Sequence, residues 1–180
     1  MEKKNSVYIG VSLDGFIADS DGGIDYLDTY PIPEEEDMGY FSFMDQMDAL
    51  VMGRITFETV CGFDVPWPYE KPVYVLSNTL TNIPEAYQGK ASLVKGTLPE
   101  ILAQIHSNGH LSLYIDGGST IQSFLKEDLI DEMIITTIPV LIGGGHPLFG
   151  ELADTLKFEC KSTQLFADKI VQSRFVRNRS

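Results

Sequence analysis

Apolar positions along the chain fall into short blocks that change period as they go. Residues 7–12 are apolar and β-branched almost without a break, the pattern of a buried strand. At 37–46 the period becomes helical: Met38, Phe41 and Met44 recur every third position, behind carboxylates at 34–37 that suit a helix N-terminus. The pattern then predicts a strand at 49–52, a helix at 54–60 and a strand at 73–77. A helix follows at 98–106, with Ile101, Leu102 and Ile105 on one face and Asn108-Gly109 ending it. Next come a strand at 111–115, a helix at 119–126 and a strand at 132–140. The chain closes with two strands, 156–161 and 170–176, and no helix between them. Strands alternating with helices predict an α/β fold with a mixed, mostly parallel central sheet and helices on both faces. The closing pair predicts an antiparallel C-terminal edge.

Composition narrows what such a fold can do. At 180 residues and 20.0 kDa, the expectation is one domain spanning 1–180. The net charge of −13 repels nucleic acid and anionic membrane surfaces, and no apolar run approaches the ~20 residues of a membrane span. The N-terminal apolar run is too short for a signal-peptide core, so a cytoplasmic protein is expected. Cys61 and Cys160 make neither a disulfide framework nor a metal set, and His106, His110 and His146 are scattered, so no metal site is expected. Charge is uneven: residues 5–53 hold no basic side chain and many carboxylates, whereas 157–180 are rich in Lys and Arg. That division reads either as two solvated surfaces or as one carboxylate-lined wall of a site.

Two junctions carry candidate chemistry. In Val51-Met52-Gly53-Arg54-Ile55-Thr56 an apolar strand stops at a glycine and a helix begins at once. Free N–H groups at a helix start attract anions, and Gly53 would let a phosphate approach the backbone. Arg54 could grip a second phosphate with paired hydrogen bonds. Ile115-Asp116-Gly117-Gly118-Ser119-Thr120 repeats the arrangement. Each also reads as a plain strand–turn–helix with an ordinary cap. Two in one small domain fit a ligand with several phosphates, such as a dinucleotide, although the GxGxxG spacing is absent. A third glycine cluster, Gly143-Gly144-Gly145, follows a strand and precedes no clear helix, as a flexible loop would. Pro66-Trp67-Pro68-Tyr69 reads as a rigid aromatic turn, at a subunit contact or over the core edge.

Together these segments resemble the dihydrofolate reductase superfamily, and more closely its branch containing the C-terminal domain of the riboflavin-synthesis protein RibD. The resemblance spans roughly residues 7–176 and rests on Ser12-Leu13-Asp14-Gly15-Phe16-Ile17-Ala18, on the Met52-Gly53-Arg54-Ile55-Thr56 segment, on Val73-Tyr74-Val75-Leu76-Ser77-Asn78, on Asp116-Gly117-Gly118, and on Ile138-Pro139-Val140 running into the 143–145 glycines. It implies a dihydrofolate-reductase-like fold and an NADPH-dependent reductase. By the resemblance, Gly53, Arg54, Ile55 and Thr56 would hold cofactor phosphates. Leu76, Ser77 and Asn78 would flank the adenosine 2′-phosphate, and Gly117, Gly118, Ser119 and Thr120 would line the pyrophosphate. Ser12 and Ile17 would lie beside the nicotinamide.

The same resemblance places an acid 16 positions before Gly53, at Asp37, with Phe41 packing on the substrate. Asp37 also reads as a helix cap. Two departures stand out: the Pro-Trp pair of dihydrofolate reductases is missing before this helix, and Asp116 replaces a glycine. The substrate implied first is 5-amino-6-(5-phosphoribosylamino)uracil of riboflavin synthesis. Dihydrofolate or another pterin comes second, and a reductase of an unrelated carbonyl or imine third. A non-catalytic NADPH- or pterin-binding sensor is the rival of another class. A homodimer is expected from the resemblance and the Pro66–Tyr69 aromatics.

Overall fold

A computed structural model describes residues 2–180. Its central sheet has eight strands in the order β5-β4-β3-β6-β1-β7-β10-β9. The parallel part comprises β1 (Lys4–Ser12), β3 (Ala49–Gly53), β4 (Val73–Leu76), β5 (Ala91–Val94), β6 (Ser112–Asp116) and β7 (Glu132–Ile138). Then β10 (Ile170–Asn178) runs antiparallel to β7, and β9 (Lys157–Phe166) antiparallel to β10. This is the mixed, mostly parallel sheet with an antiparallel edge that the periodicity predicts.

Alternation along the strands builds the two larger apolar cores, one on each face, and Tyr26, Ile138, Phe166 and Ile170 form a smaller third cluster. On β6, Leu113 and Ile115 point to a core they share with α3 (Leu98–Ser107) and α4 (Gly118–Lys126), which contribute Ile101, Ile105, Ile121 and Phe124. Tyr114, between them, points to the opposite core with Phe43 of α1 (Tyr40–Met44) and Phe57 of α2 (Arg54–Cys61). Phe57 and Phe124 are essentially inaccessible, and burying a side chain of that size stabilises the fold by ~1.5–3 kcal/mol. At the start of α3, Thr97 and Glu100 form a reciprocal capping box.

The helix expected at 37–46 is shorter. Met38 (φ 52°) and Gly39 (φ 83°) both adopt left-handed backbone, which breaks the helix after Asp37 and lets it begin only at Tyr40. Three short strands escape the periodicity: β5, β2 (Phe16–Ala18) and β8 (His146–Pro147). The last two pair as a separate antiparallel ribbon. Trp67 turns inward, its ring 5.4 Å from Tyr69, 5.2 Å from Tyr87 and 6.0 Å from Phe57, so the aromatic turn covers the edge of the α1–α2 core.

Candidate functional site

The candidate cofactor residues gather at the carboxyl ends of neighbouring parallel strands, the place where open α/β sheets form ligand crevices. Gly53 ends β3, Leu76 ends β4, Asp116 ends β6 and Ser12 ends β1, and these four strands are adjacent in the sheet. Helices α2 and α4 start at two of these ends, capped by Gly53 and Gly117 with no side-chain hydrogen bond to either cap. Their first-turn N–H groups therefore remain free for an anion.

The two junctions are interlocked. A Cβ on Gly53 would stand 2.9 Å from Thr120 Oγ1, and a Cβ on Gly117 (φ 90°) would collide with Thr56 Oγ1. A Cβ on Gly118 would stand 2.7 Å from Ile17 Cδ1. Thr56 stands against Gly117, which its φ of 90° also constrains, Thr120 stands against Gly53, and the flexible end of Ile17 lies over Gly118. Thr120 is buried, whereas Ile55, Asn78 and Ser119 face solvent. Arg54 donates through Nη1 to both carboxylate oxygens of Glu58, at 2.9 and 2.7 Å, along the exposed face of α2. Ser77 Oγ accepts from the N–H groups of Thr79 and Leu80, which makes the tight turn after β4.

Ser12 belongs to a second network. Its hydroxyl donates to Asp14 Oδ1 at 2.6 Å and accepts from the Phe16 N–H at 3.0 Å. Asp14 Oδ2 accepts from the Gly143 N–H at 2.8 Å, and Leu148 N–H donates to the Gly15 carbonyl at 3.0 Å. The Ser12 hydroxyl is the main reason the Asp14 carboxyl lies below its usual range. Gly145 (φ 142°) packs directly on the Ala18 carbonyl. The glycine cluster is therefore fastened to the β1–β2 turn rather than being a free loop, and Asp14 is the clasp.

Asp37 and Phe41 lie apart from this network. Asp37 Oδ1 accepts from the Gly39 N–H at 2.9 Å and Oδ2 from the Phe41 N–H at 2.8 Å. Those backbone bonds hold its carboxyl below the ordinary carboxylate range. The next residue, Met38, accepts through its carbonyl from Tyr8 OH at 3.0 Å. Tyr8 lies four residues before Ser12 on β1, ~13 Å along the strand. A cavity of about 410 Å³ opens beside this turn, lined by Tyr8, Glu36, Met38, Gln172 and Arg174. Phe41 is 69 % exposed, with its ring 5.9 Å from that of Tyr40.

Asp116 is the group that sequence reasoning did not single out as an acid. It ends β6 on the face of Tyr114, and its Oδ1 accepts from the Gly117 N–H at 2.8 Å. Burial outweighs that bond and pushes its carboxyl up to about 6. Burial raises the hydroxyls of Tyr40, Tyr69 and Tyr114, and the Asp116 charge adds to each of those shifts. The signal in the sequence was the departure itself, a carboxylate standing where the related motif has glycine.

With this geometry in view, comparisons with known proteins give a consistent answer. Residues 6–172 match the RibD C-terminal domain. The Bacillus subtilis protein YwjB, uncharacterised in function, is 39 % identical over 98 % of this chain and 99 % of its own. A crystal structure of a candidate riboflavin biosynthesis protein from Shewanella sp. PV-4 is 50 % identical and superposes with a TM-score of 0.95, covering 98 % of this chain and 99 % of its own. Dihydrofolate reductase from Enterococcus faecalis, complexed with NADP(H), shares the fold at 17 % identity and a TM-score of 0.67, over 97 % of this chain and 96 % of its own. Strand order, the paired glycine junctions and the match across nearly the whole length agree, and the chain belongs to the RibD C-terminal domain family.

Proposed function

We propose that the protein is an NADPH-dependent reductase of the RibD C-terminal type, acting on 5-amino-6-(5-phosphoribosylamino)uracil or a related small heterocycle. The observation that carries the reading is the interlock of the two uncapped helix starts, with Thr120 at Gly53 and Thr56 at Gly117. The two glycines let the helix starts close on each other, and the N–H groups of those first turns would suit a pyrophosphate.

In this reading Gly53, Arg54, Ile55 and Thr56 bind one phosphate region, and Gly117, Gly118, Ser119 and Thr120 bind the pyrophosphate. Leu76, Ser77 and Asn78 flank the adenosine 2′-phosphate. Ser12 and Ile17 position the nicotinamide, with Asp14 holding Ser12 in place. NADPH, when bound, supplies a hydride to an electrophilic carbon of the substrate. The protein then has to deliver a proton, and Asp116 is the residue suited to it. It sits at the strand end next to the cradle, and at about 6 its carboxyl is partly protonated near neutral pH. Asp37, engaged by two backbone N–H groups and shifted downward, acts as a turn residue that shapes the start of α1.

The deciding experiment follows NADPH absorbance with the ribosylaminouracil phosphate and with dihydrofolate side by side. Oxidation with the first supports the reading, and oxidation only with dihydrofolate moves the substrate to the pterin class. Tight NADPH binding without turnover of either overturns the enzyme reading in favour of a sensor.

A further inference from the structure

Where an antiparallel sheet has one covered and one solvated face, polar side chains normally take the solvated one. At the antiparallel end of this sheet the order is reversed. Register and alternation put Arg174, Gln172, Gln164 and Glu159 on the side of α1, where Gln172 donates to Tyr8 OH and Thr136 Oγ1. The opposite side carries Ile135 of β7, Val171, Ser173 and Phe175 of β10, and Thr163 and Leu165 of β9. On that side the core shared with α3 and α4 ends at Ile9, Ile135 and Phe158, and Val171, Phe175 and Leu165 belong to no apolar cluster among the described residues. Leu165 is 56 % and Val171 38 % exposed, and Cys160 and Thr163 beside them also face solvent.

The uncovered face carries no free charge. Lys157 and Glu159 alternate onto the other side of β9, and Lys161 is tied to Glu159 by an ion pair. Arg177, at the margin, lies over the Phe158 ring and gives its guanidinium to both oxygens of Asp128. The small polar pair in the middle of the face, Thr163 and Ser173, hydrogen-bond each other at 3.0 Å, so covering them strands neither hydroxyl. In a chain of net charge −13, a charge-free face is where two copies meet at least electrostatic cost. The backbone edge of β9 is a poorer contact, because the register shift between Arg174 and Phe175 leaves Lys161 without a partner and interrupts the row that an added strand would read. The face runs about 30 Å along β9 and β10 and about 19 Å across four strands out to Ile9. It offers about 500 Å² per copy, hence about 1,000 Å² for a pair, the lower bound of a specific interface.

We propose that this face of β7, β10 and β9 is a homodimer interface, occupied by the same face of a second copy about a two-fold axis. Two sheets packed face to face lie ~10 Å apart, so Val171, Leu165 and Phe175 of both copies build one shared apolar layer. Gly53, Leu76 and Asp116 end strands in the other half of the sheet, so each copy keeps its own candidate site. Trp67, turned inward against Phe57, takes no part in the contact. An interface of this size gives a weak dimer, with a dissociation constant of about micromolar order.

The test is sedimentation velocity of the full chain from ~1 to ~200 µM, which brackets such a constant. A species of 20.0 kDa should give way to one of twice that mass as concentration rises. Leu165→Glu and Val171→Glu, at exposed positions, set like charges against each other across the axis, and each should weaken dimerisation at least ~tenfold. Gln164→Glu adds the same charge one residue away on the other side of β9 and should leave the dimer intact. Alkylation of the exposed Cys160 by iodoacetamide, followed by peptide mass spectrometry, reads the face directly. It should slow as the parent chain dimerises and keep its monomer rate in Leu165→Glu. A parent chain that stays monomeric throughout overturns the proposal. So does a dimer that survives Leu165→Glu, one that Gln164→Glu dissociates equally, or Cys160 alkylation that ignores dimerisation.

Discussion

Thr56 Oγ1 occupies the space that a Cβ on Gly117 would need, although the two residues belong to different strand–helix junctions. Because Gly117 is also left-handed at φ 90°, it is constrained twice, by backbone conformation and by its neighbour. Gly117→Ala should therefore destabilise the protein by ~1–3 kcal/mol in urea denaturation and weaken NADPH binding. Adding Thr56→Ala should relieve the collision and recover part of the stability, but not the share owed to the positive φ.

Asp116 yields a prediction whose sign follows from its upward shift. Its folded value of about 6 exceeds the unfolded value of ~3.9, so the folded state holds a proton that the unfolded state has released. The associated stability is fully present below pH ~4 and is lost as pH rises through about 6. Asp116→Asn should flatten this dependence and make the variant more stable than the parent at pH 8, by up to about 3 kcal/mol. If Asp116 delivers the proton, turnover should also fall by ~10²–10⁴ with NADPH affinity nearly unchanged. Denaturation curves at pH 4 and 8, with steady-state rates beside them, check both.

Asp37→Asn separates a cap from an acid. Asn keeps one acceptor oxygen for the two N–H groups that Asp37 serves, so stability should fall, but by less than in Asp37→Ala, and turnover should stay within about twofold. Asp37→Ala, which removes both acceptors from the Gly39 and Phe41 N–H groups, should lower the urea midpoint. Its downward-shifted carboxyl makes the contribution one that is present above the unfolded pKa and lost as pH falls through the lower folded one. Denaturation near pH 3 should therefore shrink the gap between parent and Asp37→Ala.

Arg54 should decide between NADPH and NADH. Its pairing with Glu58 lies on an exposed helix face, where such i,i+4 pairs are worth only ~0.3–0.5 kcal/mol. A 2′-phosphate surrounded by Arg54, Ser77 and Asn78, offering charge-assisted bonds of ~1.5–3 kcal/mol, would draw it away. Arg54→Ala should weaken NADPH at least tenfold more than NADH by calorimetry, and Glu58→Gln should leave or slightly strengthen the NADPH preference.

Features that depend on local chemistry are legible in the residues alone. The strand–glycine–helix junctions at 53 and 117 are written in consecutive residues, and so are the main helices and the antiparallel final pair, because periodicity and capping act within one or two turns. The strands β2 and β8 were hidden, being three and two residues long and stabilised by each other across the chain. The break at Met38 was hidden because a left-handed non-glycine residue leaves no compositional mark. It takes the folded chain to show that Thr56 answers Gly117, that Asp14 clasps the glycine cluster, and that Asp116 acts on tyrosines at positions 40, 69 and 114. The reason is physical: a carboxyl's affinity for its proton depends on which side chains exclude water from it, and for Asp116 most of those come from elements far away in sequence.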